Sequence, residues 1–421
     1  MVKKIRTTLT NGLRLVVIEI PDSKSLVTSY WTKAGNRIDP NDKLGMAHLM
    51  EHLLLKKTKS YPSDFEFGQV LEKVGAGKNG TTHKDWLNFN ITSSSKDFEL
   101  TTRVLSEMVL NPLITKMGFE NERKVVLEEN ARRNTHPENS TWDTWFKIFM
   151  ANSPINCSTL GTVGGIKAIN LSDTLKFWEQ KMLRKDSILM FSGGVDSTTI
   201  HNLCEKFFGS HNFGSDLDVP TYDYKSDTRI VIKKNDAPQT NMIMSFRTPG
   251  GQIYNDYYAL LALRGILCLG WSSRITQRLR VKEALIYGSG SNLQRYFDIG
   301  AFTFNLGSSK DKFSKMISIL CEEIVKFRDK GITEKELQFT KGFIEGVTSR
   351  SIETSWDYVD WYSVNELYWP ENVESPEERL EKLKRVTKED VERVAKKYLT
   401  KDNWQLAIVG DVKEEELKVD L

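Results

Sequence analysis

The chain has 421 residues, with 59 Lys+Arg against 56 Asp+Glu and a formal charge of +3. At about 150 residues per domain, this length predicts two or three domains, each able to bury its own core. With 39% hydrophobic, 10% aromatic and 27% charged residues, the composition excludes a disordered or fibrous chain, and interspersed charges such as Glu381-Lys382-Leu383-Lys384-Arg385 argue against a nucleic-acid or anionic-membrane surface.

At the N-terminus, basic residues are followed by Thr, Asn and Gly where a secretory apolar core would lie, so a cytoplasmic protein without a targeting segment is expected. Residues 26–33 read as a strand reaching Gly35. Residues 45–55, apolar at helical spacing and free of Pro, predict a helix carrying His48, Glu51 and His52. Residues 119–133 predict a second helix, with Glu122 and Glu129 on one face. Residues 169–196 form a capped helix followed by an apolar strand ending at Gly193, and residues 386–413 repeat that pattern without gaps at a shift of 217 residues, ending at Gly410. Between them, residues 209–227 are rich in Gly, Ser, Asp and Tyr and read as a linker. Residues 240–248 read as a strand reaching Gly250, the counterpart of 26–33. The repeat divides the chain into two similar α/β halves, 1–215 and 216–421. The longest nearly apolar stretch, residues 257–271, is broken by Arg264 and falls short of the ~20 residues of a spanning helix. The four cysteines, Cys157, Cys204, Cys268 and Cys321, are far apart and form no C-x-x-C pair, so buried free thiols are expected.

Chemistry concentrates in the first half. On a helix, His48 and His52 are about 40° apart and Glu51 about 60° from His48, so all three project to one side. Two neutral imidazoles one turn apart can grip a zinc ion while the carboxylate reaches the position where a water would sit. With six histidines in the chain, chance matches to H-x-x-E-H number on the order of 0.01. A third protein ligand is needed. The 119–133 helix offers Glu122 and Glu129, seven apart and within about 20° of each other, while Glu128 is rotated by about 100° from Glu129. Spacing alone does not choose between Glu128 and Glu129.

These motifs resemble the pitrilysin and mitochondrial-processing-peptidase family of zinc peptidases, the inverzincins, in which H-x-x-E-H is followed by a helical Glu pair whose second member lies about 77 residues after the second His. Here Glu129 lies 77 residues after His52. The resemblance implies His48, His52 and Glu129 as ligands of one Zn2+ per chain, Glu51 as general base and Glu122 as a supporting carboxylate. Residues 57–62 resemble the family's G-T-x-x-Y-P turn with Lys57 for Gly. Residues 79–89 resemble its N-A-x-T-x-x-D-x-T-x-Y substrate-pairing strand, with Gly80 for Ala, Leu87 for the later Thr and Phe89 for Tyr. Asn79, Thr82 and Phe89 are thereby implied in substrate binding, whereas His83 falls at a variable position and reads as a surface residue. In the second half, Ser272-Ser273-Arg274-Ile275 and the span from Arg280 to Tyr287 resemble the S-S-R-L and R-x6-Y elements, which implies that Arg280 and Tyr287 contact the substrate and the carbonyl under attack. Gly270-Trp271 interrupts the glycine-rich run that the family usually has before S-S-R.

The fold implied is α+β, with two homologous sandwich domains, each a mainly antiparallel sheet with helices packed on it. The function implied is a zinc-dependent endopeptidase acting on unstructured peptides in a closed chamber. Because one chain carries both the zinc set and the Arg/Tyr set, a homodimer, or a heterodimer with a homologous subunit, is the expected closure. A non-catalytic peptide-binding or structural subunit of the same fold is the alternative.

Overall fold

The computed structural model of the chain describes residues 2–133, 136–251 and 254–421. It contains two α/β units, the first formed by the chain up to Ala131 with Ser158–Pro220 and Ser351–Val373, the second by Arg132–Cys157, Thr221–Arg350 and Glu374–Leu421.

The first unit's sheet uses β1 (Lys3–Thr8), β2 (Arg14–Glu19), β3 (Ser25–Thr32), β4 (Gly77–Thr82), β5 (Leu87–Ser94) and β6 (Ile188–Gly193), in the order β1-β2-β6-β3-β5-β4. The second uses β7 (Ile230–Lys233), β8 (Gln239–Thr248), β9 (Ser289–Arg295), β10 (Gly300–Ser309) and β11 (Trp404–Val409), in the order β7-β11-β8-β10-β9. Each sheet is antiparallel except for one parallel pair, β2–β6 in the first and β7–β11 in the second. The two repeated segments therefore occupy equivalent places, β6 and β11 each lying between a parallel and an antiparallel neighbour.

In chain order the helices are α1 (Met46–Leu54), α2 (Asp64–Glu72), α3 (Phe98–Leu110), α4 (Lys116–Arg133), α5 (Pro137–Phe149), α6 (Val163–Ala168), α7 (Leu171–Phe177), α8 (Ser197–Phe208), α9 (Tyr257–Cys268), α10 (Lys310–Lys330), α11 (Glu334–Arg350), α12 (Ser355–Tyr368), α13 (Pro376–Lys384) and α14 (Lys388–Tyr398). Asn170 caps α7 and Thr387 caps α14, the latter in a reciprocal pair with Asp390, so local capping chemistry sets both repeat helices. The apolar run beginning at Tyr257 is α9, buried on nearly all sides, and no helix among the described residues is long and apolar enough to cross a membrane. Cys204, Cys268 and Cys321 are buried free thiols and Cys157 is half-buried.

Both faces of each sheet are covered, and this explains why the central strands are apolar without alternation. In β2, Leu15 and Val17 join the core under α1 and α3, while Val16 and Ile18 pack against Val359, Tyr362 and Leu367 of α12. In the second unit, Met242, Met244 and Phe246 of β8 face α9 and α10, while Ile243 faces Trp145, Ile148 and Phe149 of α5. A single cut near residue 215 thus separates the two sheets but not their helical covers. The half that encodes the first sheet also encodes α5, which belongs to the second unit, and α12 makes the reciprocal exchange.

Trp145 is the centre of one such cover, stacked on Phe149 at 4.3 Å and donating from Nε1 to Ser245 Oγ at 2.8 Å. Trp145→Ala leaves a large cavity and removes the donor to Ser245 Oγ. It is expected to cost about 3–5 kcal/mol, measured as lost hydrogen-exchange protection of the β8 and β11 amides.

Candidate metal centre

Helix α1 is amphipathic in a way that determines which side chains are free for chemistry. Met46, Ala47, Leu49, Met50, Leu53 and Leu54 are buried against the sheet, which leaves His48, Glu51 and His52 on the half-covered opposite side. Its N-terminus is held by Asp39, whose carboxylate accepts from the Gly45 amide at 2.8 Å and the Ala47 amide at 2.9 Å. Gly45 itself adopts φ 108°, a conformation that favours glycine.

Helix α4 supplies the carboxylates. His48 Nε2 and His52 Nε2 lie 3.2 and 3.4 Å from Glu129 Oε2. Glu128 is exposed, so tertiary packing selects Glu129 from the two candidates that spacing left open. A tetrahedral metal with arms of about 2.0–2.1 Å has edges of about 3.3–3.4 Å between ligand atoms, and the observed separations match. His48, His52 and Glu129 are the metal-competent group among the described residues, a nitrogen-and-carboxylate set suited to zinc with a fourth position left for water. Glu122 sits behind this set, with Oε2 at 3.2 Å from His52 Nδ1 and Oε1 at 3.1 Å from Lys56 Nζ. It therefore orients the imidazole through the nitrogen turned away from Glu129.

Glu51 lies beside this group. Its Oε2 is 3.5 Å from His48 Nδ1 and accepts from the Thr82 hydroxyl. Burial by itself raises the Glu51 pKa, but the His48 and Thr82 contacts prevail and lower it, so the side chain is kept in the ionised form that a general base requires. Burial likewise opposes charge on His48, yet the neighbouring Glu51 and Glu129 carboxylates outweigh it and raise its pKa. Gly80 of β4 packs directly on Glu51: a Cβ there would lie 2.6 Å from Glu51 Cγ.

The expected substrate strand is a hairpin, with β4 at the sheet edge and β5 inside it. Asn79 is exposed on β4, and Thr82 is turned inward onto Glu51. Phe89, expected at the substrate, lies instead on β5 with no exposed surface, packed in the main core. Its position in the pattern is met, but it lies on the inner strand β5, and its side chain is turned to the face that packs in the core. His83 is half-covered, its ring stacked on Trp86 at 4.9 Å.

Arg280 and Tyr287 belong to the second unit. Arg280 lies on the π-helical turn Thr276–Lys282, and Tyr287 is 88% exposed. Arg274 is tied to Glu336 at 2.6 Å and to the Gly331 carbonyl, which makes it a structural residue. Helix α9 is the counterpart of α1, each following a central strand and preceding the edge hairpin, yet α9 contains no His, Asp or Glu. The metal set is therefore confined to the first unit.

Asp39 supports the site without any sequence pattern that marks it, whereas Thr82, implied at the substrate by the strand pattern, supports it by donating to Glu51. Burial pushes the Asp39 pKa up to about 7 despite its two amide bonds. Because this lies above the ordinary value of 3.8, the stability Asp39 contributes is full in acid and is lost as the pH rises through about 7. Asp39→Asn keeps an oxygen for the amides and is expected to flatten that decline, read from denaturation midpoints of the metal-free protein between about pH 5 and 8.

Two family descriptions match the chain in tandem: "Insulinase (Peptidase family M16)" over residues 14–163 and "Peptidase M16 inactive domain" over residues 168–342. An uncharacterized zinc protease of Mycobacterium leprae is 28% identical over 96% of this chain and 91% of its own length. The uncharacterized zinc protease YmxG of Bacillus subtilis is 24% identical over 96% of this chain and 98% of its own. A solved protease from Helicobacter pylori superposes with a TM-score of 0.88 at 23% identity, covering 97% of this chain and 100% of that one. A structure described as a peptidase M16 inactive domain from Pseudomonas fluorescens also gives 0.88, at 17% identity, covering 98% of each chain. The metal-competent helices lie inside the first matched segment and the helix without ligands inside the second, and the chain belongs to the M16 (pitrilysin and insulinase) family of peptidases, in its two-domain form.

Proposed function

We propose that the chain is a zinc-dependent endopeptidase that hydrolyses unstructured peptides. The observation that carries this reading is the convergence of His48, His52 and Glu129 beside an ionised Glu51. The chemistry a zinc ion supplies there, when bound, is Lewis acidity and a water able to ionise near neutral pH. Glu51 Oε1, the oxygen not engaged by Thr82, accepts the water's proton and later returns it to the leaving amine as the C–N bond breaks. Thr82 and His48 hold the carboxylate in place for both transfers. Substrate adds as a strand on the free edge of β4, whose Gly80 touches Glu51, so that a paired backbone runs past the base. Arg280 and Tyr287 donate to the carbonyl oxygen as it gains charge.

The non-catalytic reading takes its support from the second unit, whose match carries the description "inactive". The matched segment, residues 168–342, includes α9, which carries no His, Asp or Glu, and not α1, while the Pseudomonas fluorescens structure with the same description covers 98% of the chain.

Glu51→Gln is expected to retain zinc by metal analysis while its peptide cleavage falls about 100- to 10,000-fold. The wild-type chain is expected to digest an unstructured peptide mixture in a chelator-sensitive way and to spare a folded protein. Cleavage by Glu51→Gln at the wild-type rate overturns the mechanism. One chain bears both the metal set and the Arg/Tyr pair, so two copies can complete each other's sites, and light scattering is expected to show a dimer at assay concentrations. A fully active monomer removes that part of the proposal.

A further inference from the structure

Arg280 stands apart from the other arginines of its neighbourhood. Arg274 is neutralised by Glu336 and Arg278 by Glu283 at 2.7 Å, whereas Arg280 has no ion pair or hydrogen bond among the described residues. Its guanidinium instead lies over two aromatic rings, 4.6 Å from the centroid of Trp271 and 5.0 Å from that of Tyr287. The N–H donors remain at the edge of the cation, free for an incoming oxygen.

The ring of Trp271 is 60% exposed, but its backbone is held firmly. Gly270 turns the chain at φ 77° with the Phe343 ring so close that a Cβ at position 270 would stand 3.0 Å from it. Ser273 Oγ donates to the Gly270 carbonyl at 2.9 Å, and Gln277 Nε2 donates to the Trp271 carbonyl at 2.8 Å. The segment leading to Tyr287 is fixed as well. Ala284 adopts φ 49°, the Leu285 amide donates to the Leu279 carbonyl at 2.8 Å, and Leu285 and Ile286 are buried. Two exposed rings on rigid backbone therefore flank one unpaired cation.

We propose that Trp271 is a positioning residue for Arg280: its indole holds the guanidinium by a cation–π contact in the orientation that receives a peptide carbonyl oxygen. The inference rests on the reading of Arg280 as a substrate contact. It assigns a role to Trp271, the residue that interrupts the glycine-rich run. Without the ring, the long side chain of Arg280 regains rotamer freedom, and that freedom must be lost again on each binding event.

The test uses the Glu51→Gln chain, which keeps the site but suppresses turnover, and a fluorescein-labelled unstructured peptide read by anisotropy. Adding Trp271→Ala is expected to raise Kd about two- to thirtyfold, the range spanned by exposed to desolvated cation–π contacts. Trp271→Phe is expected to recover most of the loss, and Trp271→Ala is expected to add no further loss once Arg280 is Ala. The thermal midpoint is expected to stay at the parent value, because the ring is mostly in solvent. If Arg280→Ala weakens binding but Trp271→Ala does not, the positioning role falls and the peptidase reading stands. If Arg280→Ala leaves Kd unchanged, the assignment of Arg280 falls and the role of Trp271 falls with it. Equal losses for Trp271→Ala with and without Arg280 also overturn the proposal, since they show that the ring acts on something else.

Discussion

The candidate metal centre depends on how α1 is anchored. Two histidines on one helix can point at one place only if the helix is fixed both along its axis and about it. The buried Asp39 carboxylate fixes the first by capping the Gly45 and Ala47 amides. The apolar face from Met46 to Leu54 fixes the second by packing against the sheet. Helix α4 then has a defined target, and the contact of Glu122 with His52 and Lys56 sets its register so that Glu129 arrives at the two imidazoles. Any rotation of α1 would move His48 and His52 away from Glu129 and Glu51 away from Thr82 together, which ties both sets of contacts to the same packing.

The two units show how one architecture is put to two uses. Apart from the extra edge strand β1, their sheets share the same order of parallel and antiparallel pairings, β2-β6-β3-β5-β4 matching β7-β11-β8-β10-β9. In the first, the helix after the central strand carries two histidines and a glutamate. In the second, the equivalent helix is apolar and almost wholly buried, and the exposed chemistry shifts to the turn that carries Arg280 and the segment that ends at Tyr287. The exchange of α5 and α12 gives each sheet a second apolar cover that its own half does not provide. Each unit therefore relies on chain segments encoded in both halves.

Much of the site was legible in the sequence because its parts are local. H-x-x-E-H lies within five residues of one helix, and the seven-residue spacing of Glu122 and Glu129 requires only that α4 be helical. The repeat at a shift of 217 residues was legible for the same reason: a capped helix and an apolar strand ending at glycine are short-range patterns, and both copies adopt them. Phe89 shows the limit of pattern matching. It occupies a position that the family pattern marks, but the hairpin turn between β4 and β5 puts it on the inner strand, where burial decides its role.

The amino-acid sequence by itself determined the metal-competent residue types on α1, the duplicated strands and the apolar character of α9, because each follows from residue type at helical or strand spacing. Only the tertiary structure decided that Glu129 and not Glu128 faces the histidines, that Asp39 and Thr82 hold α1 and Glu51, that α5 and α12 cross between units, and that Trp271 lies against Arg280. These are contacts between segments that lie far apart in the chain, or between side chains whose direction a turn controls. Their energies come from desolvation and packing against a particular neighbour, and a one-dimensional pattern does not specify that neighbour.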